Sequence, residues 1–139
     1  MAKMTGKGAI ITLDDSAGTP RIISADVISY NIDYSVSAED VTGFGEGSQN
    51  FTPGMLVAKV TLEVNWNSFA TTGSWTVIRG IIGSSTSKTL AIQPEGTGLT
   101  LSGEYMCEGV KVSGAAKGSP ISLGSVVFDV MGAVAPAWA

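Results

Sequence analysis

The chain has 139 residues, which fits one domain, and only 14% of them are charged, against about 25% in typical globular domains. Its formal net charge of −4 argues against tight binding of nucleic-acid phosphates, which requires a patch of lysine or arginine side chains. The lack of histidine and the single cysteine, Cys107, exclude histidine-based catalytic triads, an intrachain disulfide and a thiolate metal site.

A hairpin and two long strands are predicted in the first half of the chain. Residues 8–13 and 21–24 flank the turn sequence DDSAGTP and are expected to pair with each other. Residues 28–36 and 56–66 alternate between apolar and polar side chains, which is typical of half-buried strands. The expected apolar faces of these two strands are Ile28, Tyr30, Ile32, Tyr34 and Val36, and Leu56, Ala58, Val60, Leu62, Val64 and Trp66.

One helix is predicted after the second long strand. Four apolar residues of TTGSWTVIRGIIGSS recur at a helical spacing, namely Trp75, Ile78, Ile81 and Ile82. Thr72 or Ser74 is expected to cap the start of this helix, and Gly83 is expected to end it. We expect Trp75 and Trp66 to be core residues.

The second half of the chain returns to strands. Residues 88–93 predict a strand, and residues 99–112 predict a longer one with bulges at Gly103 and Gly109. Residues 120–130 predict the last strand. Its two expected faces are Ile121, Leu123, Ser125, Val127 and Asp129, and Val126, Phe128 and Val130.

Two further residues have expectations of their own. Cys107 is expected to be a small buried hydrophobic side chain within its strand. The tail AVAPAWA, residues 133–139, has no predicted element. Its Trp138 is a candidate interface residue, because it either folds back on its own chain or docks on a neighbouring copy, and the sequence leaves both open.

The sum is seven or eight strands and one helix, so the predicted class is mainly β, a β-sandwich or barrel with one short flanking α-helix. Residues 1–139 are expected to form a single domain, without an internal repeat. The apolar run at 9–13 is too short for a signal peptide, and no run approaches the ~20 residues of a membrane span. We therefore expect no membrane association. The low charge predicts that part of the surface contacts other protein molecules.

No residue set for catalysis or cofactor binding emerges. The sequence GFGEG at 43–47 lacks the G-x-G-x-x-G spacing, and Glu46 would repel a pyrophosphate. The stretch around Lys88 lacks a phosphate-loop glycine and follows a helix instead of opening one. The acidic pairs at 14–15 and 39–40 fit turn chemistry. We predict no enzyme activity, no cofactor and no metal.

The segment 38–54, AEDVTGFGEGSQNFTPG, predicts a long loop that carries two aromatic residues. Its glycines give the backbone freedom, and Pro53 stiffens its exit. Phe44 and Phe51 are not easily buried by such a loop. We expect the loop to be mobile in a free subunit and ordered in an assembly, with both phenylalanines buried against a neighbouring copy.

This loop and the strand after it resemble the tail tube (major tail) proteins of long-tailed bacteriophages. The family pattern D-x-T-x-F-G followed by F-x-P-G-L is matched here, with methionine at position 55 in place of leucine. The matching residues are Asp40, Thr42, Phe44, Gly45, Phe51, Pro53 and Gly54. The predicted helix, the I-x-P-x-G of 92–96 and the final FDVMG also follow the family's order.

The resemblance implies a structural protein of the virion tail, made in the cytoplasm of the bacterial host. Six copies would form a ring whose inner sheets join into one β-barrel, and stacked rings would form a tube that conducts DNA without binding it tightly. The implied partners are further copies, the tape measure, the terminator and the baseplate or tip proteins. The matched loop residues would form the subunit interface, and Asp33 and Glu63 are candidates for an acidic lumen surface.

Two other functions remain open at this point. One is another virion protein of similar fold, such as a capsid decoration protein or a tail terminator or connector. The other is a small β-sandwich binding module, which would use an exposed tryptophan or tyrosine as a platform.

Overall fold

One antiparallel sheet of eight strands and one α-helix form the part of the chain that the structure describes. This computed structural model describes residues 8–114, 117–132 and 134–139. The elements are β1 (Ile10–Asp14), β2 (Pro20–Ile22), β3 (Val27–Asp40), β4 (Phe51–Asn65), α1 (Ser74–Ile81), β5 (Lys88–Gln93), β6 (Leu101–Cys107), β7 (Ser122–Val130) and β8 (Ala137–Trp138). The strand order is β2-β1-β5-β6-β7-β4-β3, and β8 pairs with β6 beside this path.

The core lies between the inner face of the sheet and the helix. Buried side chains of β1, β4, β5, β6 and β7 form one cluster with Val77, Ile78 and Ile81 of α1. Strands from nearly the whole width of the sheet reach this one cluster, so the sheet has to curve around it. The prediction of a mainly β fold with one short flanking α-helix is confirmed. Among the described residues, no helix has the length and the apolar composition that a membrane span requires.

The first hairpin is confirmed, and Asp15 explains its turn. β1 pairs antiparallel with β2, with Thr12 opposite Ile22. One carboxylate oxygen of Asp15 accepts hydrogen bonds from the backbone N–H groups of Ala17 and Thr19, both at 2.9 Å. The other oxygen accepts a bond from Arg21 Nε at 3.0 Å. These bonds, the Thr19 bond foremost, lower the pKa of Asp15.

The two long strands pair with each other, and one of the two alternation patterns is interrupted. In β4, the predicted inner positions from Ala58 to Val64 are fully buried. In β3, the register shifts between Val27 and Ser29, which leaves Ile28 as an extra residue in a bulge. The bulge reverses the facing of the residues before it. Ile28 is therefore 67% exposed, and its predicted place on the inner face is wrong.

The helix begins without the predicted side-chain cap. Its N-cap position is Gly73, and neither Thr72 nor Ser74 caps it. The Ser74 hydroxyl instead donates a 2.8 Å hydrogen bond to the backbone carbonyl of Asn65. A Cβ at Gly73 would lie 2.4 Å from the carbonyl oxygen of Asn67, so the close approach of the two segments requires glycine.

The two tryptophans predicted as core residues lie at the rim of the core. Trp66 and Trp75 are half-buried and stack on each other, with ring centroids 4.8 Å apart and an angle of 20° between the rings. The helix ends at Ile81, and Ile82, the last member of the predicted apolar stripe, is 38% exposed.

The later strands follow the predicted order, with shorter bounds and different irregularities. β6 ends at Cys107, which is buried as expected, and burial raises the pKa of its thiol. Gly103 pairs with Leu90 in an unbroken ladder, and Gly109 lies beyond the end of the strand. The predicted bulges at both glycines are therefore wrong.

The real irregularity of the last strand lies at its start. The register of β4 with β7 shifts between Val64 and Asn65, and Gly124 has a φ of 69°. This bulge puts Leu123 into the core together with Val126 and Phe128, although the alternation predicts Leu123 on the opposite face. The glycine is needed because a side chain at this φ would be strained.

The C-terminal tail is ordered by the sheet, contrary to the sequence prediction. Trp138 pairs with Leu101, and its ring meets the ring of Tyr34 edge to face at 6.4 Å. Trp138 thus folds back on its own chain, although 37% of it remains exposed. Pro136 is buried against the backbone of Gly103. Ala133, the first residue of the predicted tail, lies outside the described residues.

Replacing Gly103 by alanine should release this tail. The new Cβ would lie 2.7 Å from Cβ and Cγ of Pro136, an overlap expected to cost about 1–3 kcal/mol. Amide hydrogen exchange should then accelerate at Ala139, whose N–H donates to the Thr100 carbonyl. Gly114→Ala is the control, because its new Cβ would meet no atom of the described residues within 4 Å. Unchanged exchange at Ala139 in Gly103→Ala would contradict this close packing.

Candidate functional site

The hairpin of β3 and β4 extends beyond the rest of the sheet. The pairing of β4 with β7 ends, on the side of the β3–β4 hairpin, at Val60, which lies opposite Phe128. Residues 51–59 continue past this point, which at about 3.3 Å per residue corresponds to about 30 Å. We call residues 33–59 the hairpin arm. Within the arm only Ala58 is buried, and only Gly54 and Leu56 are half-buried.

The irregular part of the arm is shorter than the predicted loop. β3 continues to Asp40 and β4 begins at Phe51, so only residues 41–50 connect the strands. The residues at both ends of the predicted loop 38–54 pair across the hairpin, for example Ala38 with Pro53. Pro53 is tolerated there because the register shifts next to it and this part of β4 has no second strand beside it.

Asp40 and Thr42 hold the base of this connection together. An Asp40 carboxylate oxygen accepts hydrogen bonds from the Thr42 hydroxyl at 2.6 Å and from the Thr42 N–H at 2.9 Å. These bonds lower the pKa of Asp40. The Thr42 hydroxyl in turn accepts a 2.8 Å bond from the Asn50 N–H. These hydrogen bonds join the two ends of the 41–50 connection within one chain, and the ordering of the loop by a neighbouring copy stays a prediction.

The tip of the arm presents aromatic side chains to solvent. Gly45 has a φ of 86°, so the turn beside Phe44 requires a residue that tolerates the left-handed region. Phe44 is completely exposed, and 55% of Phe51 is exposed. Glu46 accepts a hydrogen bond from the Asn50 side chain at 2.5 Å, which leaves its carboxylate at the tip. The arm thus carries apolar anchors and negative charge at the same end.

A second feature is the acidic outer face of the sheet. Asp33 lies opposite Lys59, and Glu63 lies opposite Ser125, whose hydroxyl donates a hydrogen bond to it. Lys59 is the one cation in β3, β4, β6 and β7, all of whose residues the structure describes. The carboxylates on or beside this face are Asp33, Glu63, Glu104, Glu108 and Asp129.

Sequence reasoning missed three of these five carboxylates. Asp129 lies 3.8 Å from Lys59 Nζ, and Glu104 accepts bonds from the hydroxyls of Ser87 and Thr89. The alternation of β7 places Asp129 on the other face of the strand from Val126 and Phe128, so the sequence alone could have predicted its position. Glu108 was not, because it lies past the end of β6 and its contact with Asp129 depends on strand order.

Glu108 and Asp129 form a pair of like charges. A hydrogen bond with the Asp129 side chain and the negative charge of Asp129 raise the pKa of Glu108. A smaller contribution from burial acts in the same direction, and Lys59 opposes the shift. Folding therefore favours the protonated form of Glu108.

The described residues hold no group of three His, Cys, Asp or Glu side chains that is able to bind a metal ion. Asp40 and Glu46 are occupied by hydrogen bonds within the loop, and Glu39 accepts a 2.9 Å bond from the Ser37 hydroxyl. The site therefore consists of two surfaces, the hairpin arm and the acidic outer face.

Comparison with known proteins identifies the fold. No protein-family model matches the sequence, and no curated protein matches it either. A chain in the tail of an empty gene transfer agent (GTA) particle, solved by helical refinement with C6 symmetry, is similar with a TM-score of 0.74 and 18% identity, over 97% of this chain and 99% of that chain.

Two other solved structures agree. A chain of the virion of a native gene transfer agent particle has a TM-score of 0.76 and 16% identity, over 97% of this chain and 99% of that chain. A chain of the six-fold symmetrised baseplate of the anti-feeding prophage has a TM-score of 0.59 and 11% identity, over 100% and 95%. The resemblance to phage tail tube proteins is thereby confirmed at the level of the fold.

Replacing Glu108 by glutamine tests the carboxyl pair. The raised pKa means that folding favours protonated Glu108, so stability is lost as the pH rises through the folded-state pKa. Glutamine keeps a donor for Asp129 without the charge. We expect Glu108→Gln to melt at a higher temperature than the wild type at pH 7, and the difference should vanish below about pH 4, where the carboxyl is protonated in both states.

The control is Glu95→Gln, because Glu95 is an exposed carboxylate that follows the last residue of β5, Gln93, by two positions. Thermal unfolding of all three proteins as a function of pH gives the comparison. An equal gain from Glu95→Gln, or a gain from Glu108→Gln that persists in acid, would show that the pair is not responsible.

Proposed function

We propose that this chain is the tube subunit of a phage-type tail, in which hexameric rings stack into a tube whose lumen conducts DNA. The observation that carries the proposal is the similarity over nearly the whole chain to a tail chain solved with C6 symmetry. The low fraction of charged residues and the exposed apolar arm support an assembling protein over an isolated binding module.

Ring closure requires an edge that another copy can extend. β3 has β4 on one side and no strand on the other among the described residues, so it is an edge strand of 14 residues. Its free N–H and C=O groups offer a template for pairing. We infer that a neighbouring sheet continues at this edge within the ring, which removes an edge that would otherwise aggregate.

The acidic outer face is suited to line the lumen. β3, β4, β7 and β6 form a continuous stretch of sheet, and Asp33 and Glu63 lie on its outer side with the three further carboxylates. Negative charge repels the phosphates of DNA, so DNA would pass without being held. Lys59 does not reverse this sign, because Asp129 lies 3.8 Å from its ammonium group.

The hairpin arm is suited to connect successive rings. Phe44 and Phe51 would be buried against a neighbouring copy, while Asp40 and Thr42 act within the arm by fixing the base of its loop. Gly45, Pro53 and Gly54 shape the backbone that presents the phenylalanines. Trp138 packs on Tyr34 of its own chain, so its role at a neighbour is limited to its exposed edge.

The remaining parts of the proposal follow from this role. A tube subunit would be made in the cytoplasm of the bacterial host and would end up in the virion tail. It would meet the tape measure, terminator and baseplate or tip proteins at the tube's interior and ends. A similarity to a baseplate chain with six-fold symmetry is consistent with such neighbours.

Electron microscopy of the purified full chain tests the proposal. Negative-stain images at increasing protein concentration should show rings with six-fold symmetry and then tubes. Closed rings that never stack would favour the alternative role of a tail terminator or connector. Particles that stay monomeric, both alone and with the cognate tape-measure protein added, would overturn the proposal.

Replacing Phe44 by alanine should weaken assembly without unfolding the subunit. The Phe44 side chain is fully exposed in the single chain, so the melting temperature of the subunit should stay nearly unchanged. Loss of about 1.5–3 kcal/mol of apolar burial should raise the critical concentration for tube formation about 10-fold or more. The conservative Phe44→Leu should assemble almost like the wild type. A collapse of the thermal melt in Phe44→Ala would mean that Phe44 belongs to the core.

Phe51→Ala should follow the same pattern with a smaller loss, because about half of this ring is already covered by its own chain. Sedimentation of assembled material against total protein concentration gives the critical concentrations. Equal sedimentation curves for the wild type and both alanine variants would contradict the role of the arm.

A further inference from the structure

The two ends of the long strands differ in charge. The hairpin arm contains four carboxylates and one cation, Lys59, which lies at its base near Asp129, and Glu39, Asp40 and Glu46 lie close to its tip. At the other end of β4, Asn65 pairs with Ser122. The described parts of the connection from β6 to β7, residues 108–114 and 117–121, carry Lys111 and Lys117 at this far end. Asp26 also lies at this end, where its carboxylate accepts hydrogen bonds from the Asn67 side chain.

Backbone hydrogen bonds attach the first described part of that connection to β7. The N–H of Lys111 donates to the Leu123 carbonyl at 3.1 Å, and Ser113 and Ser122 exchange bonds in an isolated bridge. Lys111 is therefore attached to the start of β7, which is the end of the sheet opposite the arm, and Lys117 precedes β7 by five residues in the chain. β4 alone has 15 residues, and at about 3.3 Å per residue the two ends are about 50 Å apart.

These lysines differ from most other cations in the described residues. Arg21 pairs with Asp15, Lys59 lies near Asp129, and Lys88 is buried with its ammonium 3.3 Å from the Ser16 carbonyl. Lys111 and Lys117 are exposed, and no carboxylate lies within 4.0 Å of either among the described residues. In the described part of the chain, one other cation, Arg79 on α1, is likewise exposed with no carboxylate within 4.0 Å.

Apolar side chains accompany the lysines, as phenylalanines accompany the carboxylates on the arm. Val112, which follows Lys111 in the chain, is 47% exposed, and Ile121, which precedes β7 at the same end of the sheet, is 44% exposed. The tip of the arm thus presents aromatic rings with negative charge, and the far end presents aliphatic side chains with positive charge. The two surfaces are complementary but too distant to meet within one copy.

We propose that the arm of one copy docks on the surface around Lys111 and Lys117 of a second copy, head to tail. This rests on the proposed function, because it specifies which surface of the next ring receives the arm. Two different surfaces form the contact, so each new copy leaves both of them available again and the contact propagates along an axis. Burial of Phe44 and Phe51 supplies most of the affinity, and the charges set direction and register.

The alternative receiver is the shallow groove of about 220 Å³ that is lined by Met55, Leu56, Val130 and Val134. It lies at the same end as the arm, and the part of it that the structure describes contains no charged side chain to match Glu39 or Glu46. Docking there would bring two arms together and bring their carboxylates close to one another. The charge distribution therefore favours the lysine end.

Charge reversal with rescue tests this contact. Lys111→Glu and Lys117→Glu together should raise the critical concentration for tubes about 10-fold or more, and so should Glu39→Lys with Glu46→Lys. The quadruple variant restores both the net charge and the complementarity, so it should assemble within about 3-fold of the wild type. The matched control for each single lysine reversal is Arg79→Glu, which changes the net charge by the same amount on the helix.

The outcomes separate this inference from the proposed function. Failure of the wild type to form tubes would overturn the proposed function itself. If the wild type forms tubes but the quadruple variant assembles no better than the double variants, the receiving surface is not the one around Lys111 and Lys117. An effect of Arg79→Glu as large as that of Lys111→Glu would reduce the result to net charge and would also overturn the inference. Thermal melts of every variant confirm that each subunit is folded.

Discussion

The pairing of β3 with β4 is the interaction on which the rest of the structure depends. Its register sets Ile32 against Val60 on the inner face and Asp33 against Lys59 on the outer face. A slip of one residue would exchange the two faces, exposing the core positions of β4 and burying its charges. The same ladder continues past the end of β7, so it also builds the hairpin arm.

The elements with an unbroken period of two were predictable, because burial of one face determines them without help from distant residues. β4 and β5 follow this rule. The bulges at Ile28 and Gly124 were not predictable, since they arise from how each strand fits its partner. The short strand β8 was missed because two residues carry no periodic signal, and its order comes from Leu101 and Tyr34.

The candidate site was predictable in part for the same reason. Gly45 and Pro53 mark an exposed segment with phenylalanines, and the structure exposes both rings. The true length of the loop could not be predicted, because nothing in the sequence marks Ala38 and Pro53 as strand residues and only their pairing shows it. Asp40 and Thr42 bond to each other at the base of the 41–50 connection. The acidic face combines residues from several strands, and only the order of the strands in the sheet brings these residues together.

We propose that one curved sheet presents a DNA-repelling face inward and an arm along the axis of a tube. A cryo-EM reconstruction of tubes assembled from the wild-type chain tests it most directly. We expect six-fold rings, with Asp33, Glu63 and Asp129 on the wall of the lumen and Phe44 buried in the adjacent ring. Tubes with these carboxylates on the outer wall, or with Phe44 still in solvent, would contradict it.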